Sequence, residues 1–144
     1  MILLLGTLIS LWLALKRRKD ISAREDWLIH APISIYLGWI SVAAIANIAA
    51  LLVDVGWTGF GLSESFWTVL VMAVATLITF AFLARFRNIA HSLVVIWAFI
   101  GILTKHLTTF EGEYTAVITA AIAFMTVILL GIIITLANNL KIVK

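Results

Sequence analysis

The chain has no cysteine in its 144 residues. That absence excludes a disulfide framework, a thiolate zinc site and a catalytic thiol, and it leaves the redox compartment unread. Charge is almost as scarce: Asp, Glu, Lys and Arg make up 12% of the residues, where a soluble domain carries about a quarter. Four stretches, 1–15, 31–53, 66–84 and 115–138, hold no Asp, Glu, Lys or Arg, and a fifth, 89–107, holds only Lys105. A proton relay or coupled ion pathway through a bilayer usually needs ionisable groups within it, so the chain alone makes a poor pump or transporter. There is also no Ser/His/Asp arrangement, no phosphate-binding glycine loop followed by Lys, and no carboxylate pair inside an apolar run. Enzymatic activity is therefore not expected.

What the chain does have is hydrocarbon. It is 64% apolar, with a mean hydropathy of +1.18, and these values exclude a water-soluble fold. Lipid leaves backbone groups no water to bond, so a spanning segment must be a helix or part of a closed barrel. Unbroken apolar runs lack the alternation of a barrel strand. At 1.5 Å per residue, 31–53, 66–84 and 115–138 reach about 34, 28 and 36 Å, enough for a hydrocarbon core of about 30 Å. The run 89–107 spans if Lys105 snorkels to the interface, and 1–15 is short, at about 22 Å. With no repeat and no linker, residues 1–144 read as one domain. The expected fold is all-α: a polytopic transmembrane helix bundle with about five membrane-spanning helices.

The boundaries carry their own signals. Pro32 is expected in a first helical turn, Ser63 and Asn88 as N-caps, and Glu64 beside a helix N-terminus, where its charge is favourable. Gly56, Gly59 and Gly61 predict an irregular loop, and the short connection 85–88 predicts an antiparallel helix hairpin. If all five runs span, Lys16, Arg17, Arg18, Lys19, Arg24, Arg85, Arg87, Lys141 and Lys144 share one side, and Lys105 stands alone on the other. The positive-inside rule then places the C-terminus in the cytoplasm and the N-terminus outside. The basic residues meet headgroups and not nucleic acid. Residues 1–15 are not expected to be a cleaved signal, because their basic cluster follows the apolar run and no small-residue cleavage site is present.

Six tryptophans stand out. Trp12, Trp27, Trp57 and Trp67 are expected to be interfacial belt residues. Trp39 and Trp97 each lie eight residues into their runs, about 12 Å deep, where belt anchoring no longer explains them. They read either as packing or as the lining of a ligand cavity. Tyr36, Trp39, Ala43, Asn47, Ala50 and Asp54 recur at spacings of three and four and are expected to form one inward-turned face. Asn47 on that face is expected to find an interhelical hydrogen bond or a ligand. Ala43, Ala46, Ala50, Ala116, Ala120, Ala123, Gly101 and Gly131 suggest close helix approach. His30, His91 and His106 read as interfacial, with no metal, haem or other cofactor site legible around them.

The stretch from Pro32 to Asn47 (PISIYLGWISVAAIAN), the loop from Val55 to Ser63 (VGWTGFGLS) and the segment from Val94 to Ile102 (VVIWAFIGI) together resemble bacterial tryptophan-rich sensory proteins. These are extended relatives of the TspO/MBR, or translocator protein, family. The resemblance covers 32–105 and implies a helical membrane protein enclosing an apolar pocket for porphyrin-like or sterol-like ligands. Tyr36, Trp39, Asn47 and Trp97 fall within it and are the expected ligand contacts. An N-terminal half with a Pro-containing aromatic span and an Asn-Trp span has no counterpart here, so a truncated, split or reduced homologue is expected. The expected function is membrane binding or sensing of an apolar planar ligand, in a bacterial cell membrane. The alternative is a small structural or accessory subunit with no ligand of its own. Expected partners are the lipid bilayer, a porphyrin-like or sterol-like ligand, and a second copy or another membrane chain.

Overall fold

The computed structural model describes residues 1–17 and 23–142, with backbone only for 23–27 and 139–142. Trp27 and the basic residues Arg18, Lys19, Arg24, Lys141 and Lys144 therefore lie, wholly or in their side chains, outside the described residues. The described chain forms five helices, α1 (Ile2–Lys16), α2 (Ala23–Asp54), α3 (Glu64–Phe86), α4 (Ile89–Thr108) and α5 (Thr115–Ile142), with a short 3-10 turn at Gly59–Gly61. No strand occurs among the described residues. Four segments, Leu28–Asp54, Glu64–Phe86, Ile89–Thr108 and Thr115–Asn138, are long and apolar enough to cross a membrane, and Ile2–Lys16 is a shorter apolar helix. These agree with the expected runs to within a few residues.

The helices α3, α4 and α5 all pack on one another; α2 packs on α4, and α1 on α2. The three-helix part is filled by Met72, Leu83, Val95, Phe99, Val117, Ala121, Ile128 and Ile132. A second cluster, Leu8, Trp12, Leu37 and Ile40, fixes α1 against α2, with Phe82 and Phe86 of α3 closing over it. In lipid such contacts hold through close packing and hydrogen bonds, since a lipid tail is as apolar as a leucine. Gly131 shows how close: a Cβ there would lie 2.8 Å from Phe80 Cε1 and 3.1 Å from Leu83 Cδ2. Gly101, expected to serve the same purpose, has no atom within 4 Å of its Cβ position and faces outward.

The end signals act much as expected. Ser63 accepts the Phe66 backbone N–H at 3.2 Å, and Asn88 Oδ1 accepts that of His91 at 3.1 Å. Arg87 closes α3 in the left-handed region (φ 53), its N–H bonding Leu83 O at 2.9 Å, which turns α3 into α4 as an antiparallel hairpin. Gly56, Gly59 and Gly61 all have positive φ, so the loop before α3 is as irregular as three glycines predict. Pro32 corrects one expectation, because it lies inside α2 and not in its first turn. The helix begins at Ala23, within the polar segment before the apolar run, and a membrane helix tolerates the one backbone bond that Pro removes.

Candidate functional site

The site begins at a glycine. A Cβ on Gly38 would lie 3.0 Å from Val94 Cβ and 3.4 Å from His91 Cα, so glycine lets α2 and α4 come this close without Val94 having to give way. The approach sets Trp39, next in sequence, against Trp97, one turn beyond Val94. Their ring centroids are 5.2 Å apart and their planes meet at 46°, a tilted contact in the range aromatic pairs favour. Both rings remain about half exposed, 46% for Trp39 and 59% for Trp97. Beside them runs a groove of about 390 Å³ lined by Ile35, Trp39, Ala90, Leu93, Val94 and Trp97. Its lining is apolar but for the two indole N–H groups, and it opens sideways, where the bilayer would be.

The two indoles expected to flank one cavity do meet, but in direct contact with each other. The rings touch each other, so a planar molecule does not fit between them and would lie against the pair. The polar stripe of α2 also faces outward: Tyr36, Trp39, Asn47, Ala50 and Asp54 are exposed, and the buried positions are Ser34, Leu37, Gly38, Ile40 and Ala44. The physical reason is local. Asn47 Nδ2 bonds Ala43 O, one turn back on its own helix, at 2.8 Å, while the opposite face carries the glycine and aliphatic side chains that pack best. Tyr36 is half exposed one turn before Trp39. Asn47 lies eight residues, about 12 Å, beyond Trp39 and does not line the groove.

Two further expectations are corrected at the end of the bundle that carries Lys16 and Arg85. Trp12 is 2% exposed and donates Nε1–H to Ser34 Oγ at 3.0 Å, so it fastens α1 to α2 and does not anchor in headgroups. Asn88 Nδ2 donates to the same oxygen at 3.1 Å. His91 is 1% exposed, stacked on Phe82 at 4.8 Å with planes 8° apart, and is no interfacial residue. Neither of its ring nitrogens has a partner in the protein. His30 is likewise buried, while His106 holds Ile102 O through Nδ1 at 2.8 Å among Phe110 and Tyr114. No group of three metal-ligating side chains occurs among the described residues.

At the opposite end, Trp57 and Trp67 bind the loop itself. Their rings meet at 4.7 Å, and Trp67 donates Nε1–H to Gly59 O at 2.9 Å. Sequence reading missed the groove residues Ile35, Ala90, Leu93 and Val94 and the Ser34–Asn88 link. The only signal of the groove residues was helical spacing from Trp39 or Trp97 on the same helix, and that spacing does not reveal which faces meet.

The family model for TSPO-like proteins matches residues 1–134, which takes in α1 and most of α5 and reaches well beyond 32–105. No curated protein sequence and no solved structure matches the chain. A family match over nearly the whole length, on a helical bundle with four segments able to cross a bilayer, makes this chain an integral membrane protein of the TSPO-like family.

Proposed function

We propose that the chain binds or senses an apolar planar ligand, porphyrin-like or sterol-like, against the Trp39–Trp97 face of α2 and α4. The observation that carries this reading is the half-exposed indole pair flooring an apolar groove of about 390 Å³, a volume at the lower end for small-molecule sites. Tyr36, one turn from Trp39 but not among the residues that line the groove, would offer a polar contact to a ligand that extends beyond it. The lateral opening means that the ligand arrives dissolved in the bilayer. The role is recognition and not catalysis, in a bacterial cell membrane with the C-terminus in the cytoplasm, as the basic asymmetry indicates.

The test is a titration of the purified chain in lipid nanodiscs with protoporphyrin IX and, separately, with a sterol, following tryptophan fluorescence. Saturable quenching or a saturable spectral shift is expected for at least one of them. Linear, unsaturable change with both would overturn the reading. The alternative, a structural or accessory subunit with no ligand, is favoured by a different observation, the outward polar stripe of α2.

A further inference from the structure

Polarity inside the bundle is gathered in one half. Ser34, Thr79, Asn88, His91 and Ser92 are buried, and all lie toward the end that carries Lys16 and Arg85. No buried polar side chain occurs among the described residues of the opposite half. Polar groups within a membrane are costly and mark places where something polar is handled. Thr79 and Ser92 bond backbone carbonyls of their own helices, and Asn88 bonds Ser34. His91 is different: it is 1% exposed, and neither ring nitrogen has a partner in the protein. Packing alone gives no reason to keep such a group there.

Over this polar half lies one side chain of α1. Leu8 and Trp12 are the buried residues of that short helix. The Trp12 indole fills a box built by other helices. Ser34 of α2 accepts its N–H at 3.0 Å, Phe86 of α3 meets it edge-on at 4.7 Å, and Phe82, the ring on which His91 stacks, lies at 5.8 Å. The walls have supports apart from α1, because Asn88 holds Ser34 at 3.1 Å and α4 packs on both α2 and α3. Trp12 is one turn, about 6 Å, before Lys16 at the helix end, so the mouth of the box is close to headgroup level. Amphipathic rings such as indole collect at that level.

We propose that Trp12 is an internal plug, and that the box it fills is a binding site for a small planar aromatic molecule with an N–H donor, which enters from headgroup level as α1 lifts and takes Trp12's place against Ser34, Phe82 and Phe86. The plug defines the guest. Two phenyl rings select a flat aromatic body, the Ser34 oxygen selects a donor, and the three residues, none of them charged, select a neutral molecule. His91, on Phe82, offers a donor and an acceptor to a guest that carries a further polar atom. The box shares no residue with the Trp39–Trp97 groove, so each site stands or falls without the other.

The test uses the native chain in phosphatidylcholine nanodiscs, with its six tryptophans replaced by fluorotryptophan and the Trp12, Trp39 and Trp97 resonances assigned by single Trp→Phe variants. Free indole is the probe, and N-methylindole, of similar shape but without the donor, is the control. Fluorine NMR is expected to show a second Trp12 resonance that grows saturably with indole, while those of Trp39 and Trp97 stay in place. N-methylindole should require at least about three-fold higher concentration, the equivalent of one membrane hydrogen bond of ordinary strength. A Trp12 resonance unmoved by indole, equal potency of the two probes, or a Trp12 change that appears only together with changes at Trp39 and Trp97 would each overturn the proposal.

Discussion

Ser34 is a small residue with a large structural consequence. Its hydroxyl oxygen receives Trp12 Nε1–H at 3.0 Å and Asn88 Nδ2–H at 3.1 Å, tying α1 and the α3–α4 turn to α2 at a buried point. Ser34→Ala leaves two buried donors without an acceptor and should destabilise the bundle by about 1–3 kcal/mol. Trp12→Phe removes one donor and keeps a ring among Phe82 and Phe86, so its effect should be smaller. Detergent-micelle unfolding of both variants checks the order, and a larger loss for Trp12→Phe would contradict it. His91 behaves oppositely. Its imidazole is a stacked disc with no nitrogen partnered in the protein, so His91→Phe should be neutral or stabilising, by up to about 1 kcal/mol, in the same assay. Neither role was legible in the sequence. A histidine or tryptophan near a span end carries the same signal whether it meets headgroups or neighbouring helices, and only the packing of α1 on α2 and of α4 against Phe82 of α3 decides.

At the scale of the element, Gly38 and Gly131 set helix separations that larger residues would widen. Gly38→Ala places a Cβ 3.0 Å from Val94 Cβ, and Gly38→Leu cannot be accommodated without parting α2 from α4. The expected result is loss of the Trp39–Trp97 contact, read as a shift in tryptophan emission in Gly38→Leu, with little change in Gly101→Ala, where the space is open. Equal spectra for all three chains would contradict this account. The elements themselves were legible because their determinants are local. Uncharged runs gave the spans, Ser63 and Asn88 the starts of α3 and α4, and the short connection 85–88 the hairpin. Pro32 misled because membrane helices tolerate proline. The α2 stripe misled because Asn47 bonds its own helix, so a periodic polar face was taken as inward when its strongest hydrogen bond is intrahelical.

For the whole molecule, Asp54, Glu64, Glu111 and Glu113 gather at one end and Lys16, Arg85 and Arg87 at the other, since successive helices alternate in direction. An impermeant thiol reagent applied outside intact cells is expected to label Thr58→Cys and Thr109→Cys and to spare Arg85→Cys. Labelling of Arg85→Cys alone would invert the assigned orientation, and labelling of Thr58→Cys together with Arg85→Cys would contradict the arrangement of α3 as a span. The binding reading also belongs to this scale, because the groove exists only where α2 and α4 come together. Its most direct test is protoporphyrin affinity in nanodiscs for the native chain, Trp39→Leu/Trp97→Leu and Trp57→Leu, each verified as folded. Stacking contributes about 0.5–1.5 kcal/mol per ring beyond burial, so the double variant should bind about ten- to a hundred-fold more weakly and Trp57→Leu almost as the native chain does. Equal loss in the two variants, or undiminished binding by the double variant, would contradict the assignment of the ligand to the Trp39–Trp97 face.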